Sequence, residues 1–124
     1  LSTDSVKLLA DLFHMNIEEE NMAEAIKSDS KHLGHVHFAD SNRRPVGFGH
    51  SNITQIAACL KEINFKGYIS AEAFPWPDPQ LAAQKTIDSY RKFFTWPDIA
   101  SVWKKRTNEI LIIKKSRTPQ KWTK

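Results

Sequence analysis

Three short apolar runs, residues 6–10, 34–39 and 68–73, alternate with segments of helical period, and this alternation limits the fold more than any other feature. Strands separated by helices run parallel in one sheet, because each helix returns the chain to the end where the previous strand began. Between the first two runs, Asn16 is placed to cap a helix over residues 17–27. Glu18, Glu19 and Glu20 would then lie in its first turn, where the helix dipole favours negative charge. After the second run comes a loop from Asp40 to His50, rich in Asn, Arg, Pro and Gly. Ser51 or Asn52 then caps a helix that carries Ile53, Ile56, Ala57, Leu60 and Ile63 along one face. After the third run, Pro75, Pro77 and Pro79 exclude a continuing ladder, and Asp78-Pro79 is a cap and first-turn pair for a helix reaching Phe94. Trp96-Pro97 ends it. A short helix is expected over 99–113, and 116–124 has the composition of a disordered end.

Charge divides the chain at the same place. Up to Thr95 there are 10 Lys/Arg against 12 Asp/Glu; from Trp96 onward there are 8 against 2. The net charge of +4 therefore belongs to a basic tail over 96–124, and the acidic balance of the first 95 residues argues against a nucleic-acid-binding face. The single cysteine, Cys59, has no intramolecular partner, which fits a reducing, cytoplasmic compartment and a small packing residue on a helix. No apolar run approaches the ~18 residues of a membrane span.

In parallel α/β folds the chemistry gathers at the C-terminal ends of the strands. Asp11 closes the first run, His37 lies near the end of the second and Glu72 near the end of the third. Their separations, 26 and 35 residues, are each about one strand-helix repeat. Side by side, such strands would bring two carboxylates and an imidazole to one point, a donor set suited to a divalent ion such as Mn²⁺, Co²⁺ or Mg²⁺. Each residue also has a plainer reading. Asp11 could cap a turn, Arg43 and Arg44 could be solvated loop charges, and Trp76 could anchor its loop. His35 and His37 share one face of a strand, so either could be the ligand. Glu72 is the strongest case, because an unpaired carboxylate among Ile69, Ala71, Ala73 and Phe74 would be costly to bury.

Three local motifs carry a resemblance. Asp11-Leu12-Phe13-His14-Met15-Asn16-Ile17-Glu18-Glu19 is similar to the segment ending the sixth strand of ketose 3-epimerases of the tagatose/psicose type. Gly34-His35-Val36-His37-Phe38-Ala39-Asp40-Ser41-Asn42-Arg43 resembles the seventh strand and its loop, and Gly67-Tyr68-Ile69-Ser70-Ala71-Glu72-Ala73-Phe74 the eighth. They occur in the right order and cover roughly residues 5–95. The chain thus resembles the last three βα units of a xylose isomerase-like (β/α)₈ TIM barrel, a sugar phosphate isomerase/epimerase type, over 1–95, followed by a tail outside the family. A full barrel typically takes about 250 residues, so the resemblance implies a C-terminal fragment.

The resemblance makes Asp11, His37 and Glu72 the metal ligands, with His37 chosen over His35 by its distance from Arg43. It makes Glu72 also a catalytic acid/base, and gives His14 and Arg43 to the sugar substrate. The implied reaction removes a proton beside a ketone, passes through an enediolate and returns a proton on the other face. A further Glu ligand, the second acid/base, belongs to a fifth strand that this sequence lacks, and neither Glu62 nor the Glu18–Glu20 run replaces it. The fragment is therefore expected to be inactive alone. Its open sheet face is expected to be an apolar patch that invites self-association or the missing barrel half. Two other functions fit less of the sequence: a non-catalytic half-barrel that binds or assembles with another chain, and a phosphodiester hydrolase of the AP endonuclease type, whose additional ligands are not found.

Overall fold

The computed structural model describes residues 5–94. The expected helix over 99–113 and the end over 116–124 lie outside them. Three strands, β1 (Leu8–Asp11), β2 (Leu33–His37) and β3 (Tyr68–Ser70), form one sheet in sequence order, with both pairs parallel. Between β1 and β2 run α1 (Leu12–Glu18) and α2 (Met22–Ser28). Then α3 (Ile53–Glu62) joins β2 to β3, and α4 (Pro79–Phe94) follows β3. Three parallel strands with helices between them are the α/β sheet that the alternation implies and the partial barrel that the resemblance implies.

The core follows from two periodicities meeting. Ala10, Val36 and Phe38 occupy one side of the pleat, and Ile26 of α2, Ile56 and Leu60 of α3 and Phe94 of α4 form the helical stripes; all are buried. Phe38 packs edge-on to Phe94 at 5.3 Å and to Tyr90 at 6.4 Å. Burying one such side chain stabilises the fold by about 1.5–3 kcal/mol. Polar links join the layers as well: buried Cys59 Sγ donates to the Ala23 carbonyl at 3.1 Å, and Ser89 Oγ donates to the Val46 carbonyl at 2.7 Å. At the other end of the strands, Gly67 lies against β2 so closely that a Cβ there would stand 2.2 Å from the Gly34 carbonyl oxygen.

Three local expectations are corrected. The single helix over 17–27 is two helices. The carboxylate of Asp11 caps the first and the amide oxygen of Asn21 the second, while Asn16 lies inside α1. Glu18 and Glu19 stand at the C-terminal end of α1, where the dipole opposes them, and the helix stops there. Second, regular pairing ends at His37 and Ser70 rather than at 39 and 73. The Phe38 N–H still reaches the Ser70 carbonyl at 2.7 Å, whereas the Phe74 N–H is taken by the Arg43 carbonyl at 2.7 Å. Third, the open sheet face is mixed rather than an apolar patch. Leu9 and Tyr68 are exposed there, but they alternate with Asp11, His35, His37 and Ser70. Of the two possible caps for α3, Asn52 is used, accepting from the Gln55 N–H. Asp78 caps α4 as expected, accepting from the Leu81 N–H at 2.9 Å.

Candidate metal centre

The parallel register puts Asp11 opposite His37 and His37 opposite Ser70, so Glu72, two residues further on, comes to the same end of the sheet. One ligand atom from each of Asp11, His37 and Glu72 lies within 4.8 Å of the others. His37 Nδ1 stands 3.1 Å from Asp11 Oδ2 and 3.1 Å from Glu72 Oε2. One ring nitrogen carries at most one proton and satisfies one of these oxygens. The other facing oxygen then receives no hydrogen from that nitrogen, whereas a divalent cation would match all three donors at once. The donor set therefore fits a metal of the expected kind.

The three candidate ligands are held to different degrees. Asp11, whose side chain is 13% exposed, doubles as the α1 cap: Oδ1 accepts from the N–H groups of Phe13 at 3.0 Å and His14 at 3.3 Å. Burial alone would raise its carboxyl, but hydrogen bonds with His37, the His14 N–H, Glu72 and the Phe13 N–H outweigh burial and keep it below the ordinary 3.8. Glu72 is not buried as expected, because β3 ends at Ser70 and Ala71 and Phe74 are exposed; it is 47% exposed and held from outside its own segment, with Oε1 paired to the Arg43 guanidinium and Oε2 facing His37.

The structure also separates residues that the sequence leaves equivalent. Arg43 lies between the rings of Phe13 and Phe74, 5.3 and 5.7 Å from their centroids, and joins the centre through Glu72. Arg44 turns elsewhere, 3.9 Å over the Trp76 ring, which itself stands edge-on to Phe48 at 5.1 Å. Trp76 thus packs as an anchor between the two loops. His14 meets the centre through its backbone N–H, and its ring lies edge-on to Phe13 at 5.0 Å. His35 sits one layer below His37, ring to ring at 5.2 Å, with Nε2 2.7 Å from Ser70 Oγ. Sequence reasoning missed Asp40 as an organiser of the loop. The signal was there in an Asp followed by Gly47, Gly49 and Ser51, small residues whose N–H groups can crowd around a carboxylate.

Residues 1–93 match the family described as the xylose isomerase-like TIM barrel. The chain belongs to that family. A D-psicose 3-epimerase of Enterocloster bolteae is 40% identical over 74 residues, covering 60% of this chain and 25% of its own length. A 3-dehydro-D-guloside 4-epimerase of Escherichia coli is 33% identical over 91 residues, or 73% of this chain and 32% of its own. A crystal structure of D-allulose 3-epimerase from Methylomonas sp. in complex with D-allulose superposes with a TM-score of 0.66 at 28% identity, covering 71% of this chain and 37% of that one. The chain thus spans between a quarter and two fifths of these family members, all of them sugar epimerases.

Proposed function

We propose that this chain provides three ligands, Asp11, His37 and Glu72, for a divalent ion (Mn²⁺, Co²⁺ or Mg²⁺) in a sugar isomerase or epimerase that works by proton transfer. The convergence of these three side chains at the strand ends, with Arg43 on Glu72, is the observation that carries this reading. When bound, such an ion stabilises the negative charge that develops on a ketose oxygen.

The protein's own groups would do the rest. Glu72 takes the proton from the carbon beside the carbonyl, and the C–H electron pair passes into the enediolate. Arg43 keeps one Glu72 oxygen engaged and turns the other toward the centre, and with His14 it supplies hydrogen bonds to the sugar. Asp11 stays ionised and fixed to its helix. Inversion at carbon needs a second carboxylate on the opposite face. Of the glutamates weighed for this part, Glu62 is engaged by Lys27 on the helical layer, and Glu18 and Glu19 stand at the C-terminal end of α1, away from the Asp11 cap. Residues 1–124 alone are therefore proposed to epimerise nothing. Localisation in the cytoplasm follows the same reading: Cys59 is a free thiol, and no helix of the described residues is long and apolar enough to cross a membrane.

Titration with Mn²⁺, followed by water-proton relaxation, tests the centre. Saturable one-site binding is expected, weakened by at least tenfold in Asp11→Asn, on the order of one lost charged ligand. A titration without saturation in the wild-type chain refutes the site. Activity is tested in an eight-stranded barrel that carries these residues as its last third, with a ketose and Mn²⁺ followed by chromatography. Turnover should vanish in Glu72→Gln, because the amide keeps the size but accepts no proton. A half-barrel that only binds another chain is the second reading, favoured by the exposed Leu9 and Tyr68 on the open face. It predicts association with no metal binding.

A further inference from the structure

One buried ionisable group has no part in the chemistry above. Asp40 is 2% exposed and starts the loop between β2 and α3. Its carboxylate accepts four backbone N–H groups, from Ser41 at 2.8 Å and Ser51 at 3.0 Å on Oδ1, and from Gly47 at 2.8 Å and Gly49 at 3.0 Å on Oδ2. A carboxylate withdrawn from water is costly unless its oxygens are met, and here they are met entirely by its own loop. The wrapping is close: a Cβ on Gly49 would stand 2.4 Å from Asp40 Oδ1.

Asp40 closes the turn through its main chain as well. Its carbonyl accepts the Arg43 N–H at 2.9 Å, and its N–H donates to the Arg44 carbonyl at 3.0 Å. Between these bonds Arg43 adopts φ 57°, a left-handed conformation that residues with a side chain occupy sparingly unless the surroundings impose it. The Arg43 carbonyl is held from the other loop by the Phe74 N–H. From that backbone the guanidinium passes between Phe13 and Phe74 and ends on Glu72 Oε1, leaving Oε2 toward His37.

We propose that Asp40 is a positioning residue for the centre: the loop wound on its carboxylate holds Arg43 in the left-handed turn that puts the guanidinium on Glu72. The functional meaning rests on the reading of Glu72 as the acid/base group, but the geometry is testable with neither metal nor sugar present.

The test is side-chain NMR of the full 124-residue chain without metal, reading the shift and hydrogen exchange of the Arg43 Nε–H. In Asp40→Asn an NH₂ replaces one oxygen and faces backbone N–H groups that need an acceptor. Arg43 Nε–H exchange should accelerate about tenfold or more and its shift should move to that of a free arginine, while amides of β1 and α4 change by less than about twofold. Gly49→Ala, which drives a methyl onto the carboxylate and alters no charge, should do the same. Ser41→Ala, which removes only the hydroxyl acceptor of the His50 N–H, should leave Arg43 as it is. An unchanged Arg43 signal in either folded Asp40 or Gly49 variant overturns the proposal. So does acceleration spread evenly over all amides, or an equal effect in Ser41→Ala. Unfolding of both variants overturns it too, since Asp40 would then determine the fold rather than position a side chain. Failure of Mn²⁺ binding would refute the metal reading and leave this measurement untouched.

Discussion

The two faces of β2 contrast within five residues. Val36 points into the helical layer and Phe38, just past the strand, follows it; both are buried against apolar stripes. His35 and His37 point the other way, onto the open face, where their neighbours are Leu9, Asp11, Tyr68 and Ser70. Strand alternation thus puts the packed core on one face and the candidate metal-binding side chains on the other, so most substitutions should affect only one of the two.

The largest expected effect falls on the covered face. Phe38→Ala removes a ring packed against Tyr90 and Phe94, and should lower the unfolding free energy by about 3–5 kcal/mol in urea titration. A loss below about 1 kcal/mol would mean that the helical layer is not the source of stability.

Acid should act next, through the loop rather than either face. Burial alone would raise the Asp40 carboxyl, but the N–H groups of Gly47, Ser51, Ser41 and Gly49 outweigh it and keep the group below its ordinary 3.8. A depressed carboxyl contributes stability that is fully present above the unfolded value and is lost as pH falls through the folded one. The wild-type urea midpoint should therefore drop between about pH 5 and pH 2, and Asp40→Asn should drop less over the same window. Equal slopes would remove Asp40 from the account.

Asp11→Ala touches both sides of the comparison, since the residue caps α1 and faces the centre. It should cost about 1 kcal/mol of stability, as for a lost N-cap, and should also abolish Mn²⁺ binding. Binding that survives the loss of the cap would separate the two roles and put the ion elsewhere.

The smallest effect is expected on the open face. Tyr68 is 64% exposed, and Tyr68→Ser should shift stability by no more than about 0.5 kcal/mol. A large loss would show that the open face is covered in solution, which sedimentation of the wild-type chain would reveal directly.

Much of this was legible in the sequence. Period-2 and period-3.6 patterns are local, so they placed the three strands, α3 with Ile53, Ile56 and Leu60, and α4 with its Asp78 cap. The one-repeat spacing and the motifs point Asp11, His37 and Glu72 to one end of the sheet. The break between α1 and α2 was harder, because Asn16 and Asn21 are both good caps and only the docking of the first turn onto Asp11 chose between them. The choice of Arg43 over Arg44 for Glu72, the layer that His35 shares with Ser70, and the burial of Asp40 under four N–H groups belong to the tertiary structure. Each depends on which way a loop turns once residues far apart in sequence meet, as the Phe74 N–H does with the Arg43 carbonyl. Side-chain period fixes which face a strand residue takes, but in a loop the direction is set by hydrogen bonds whose partners lie in other segments.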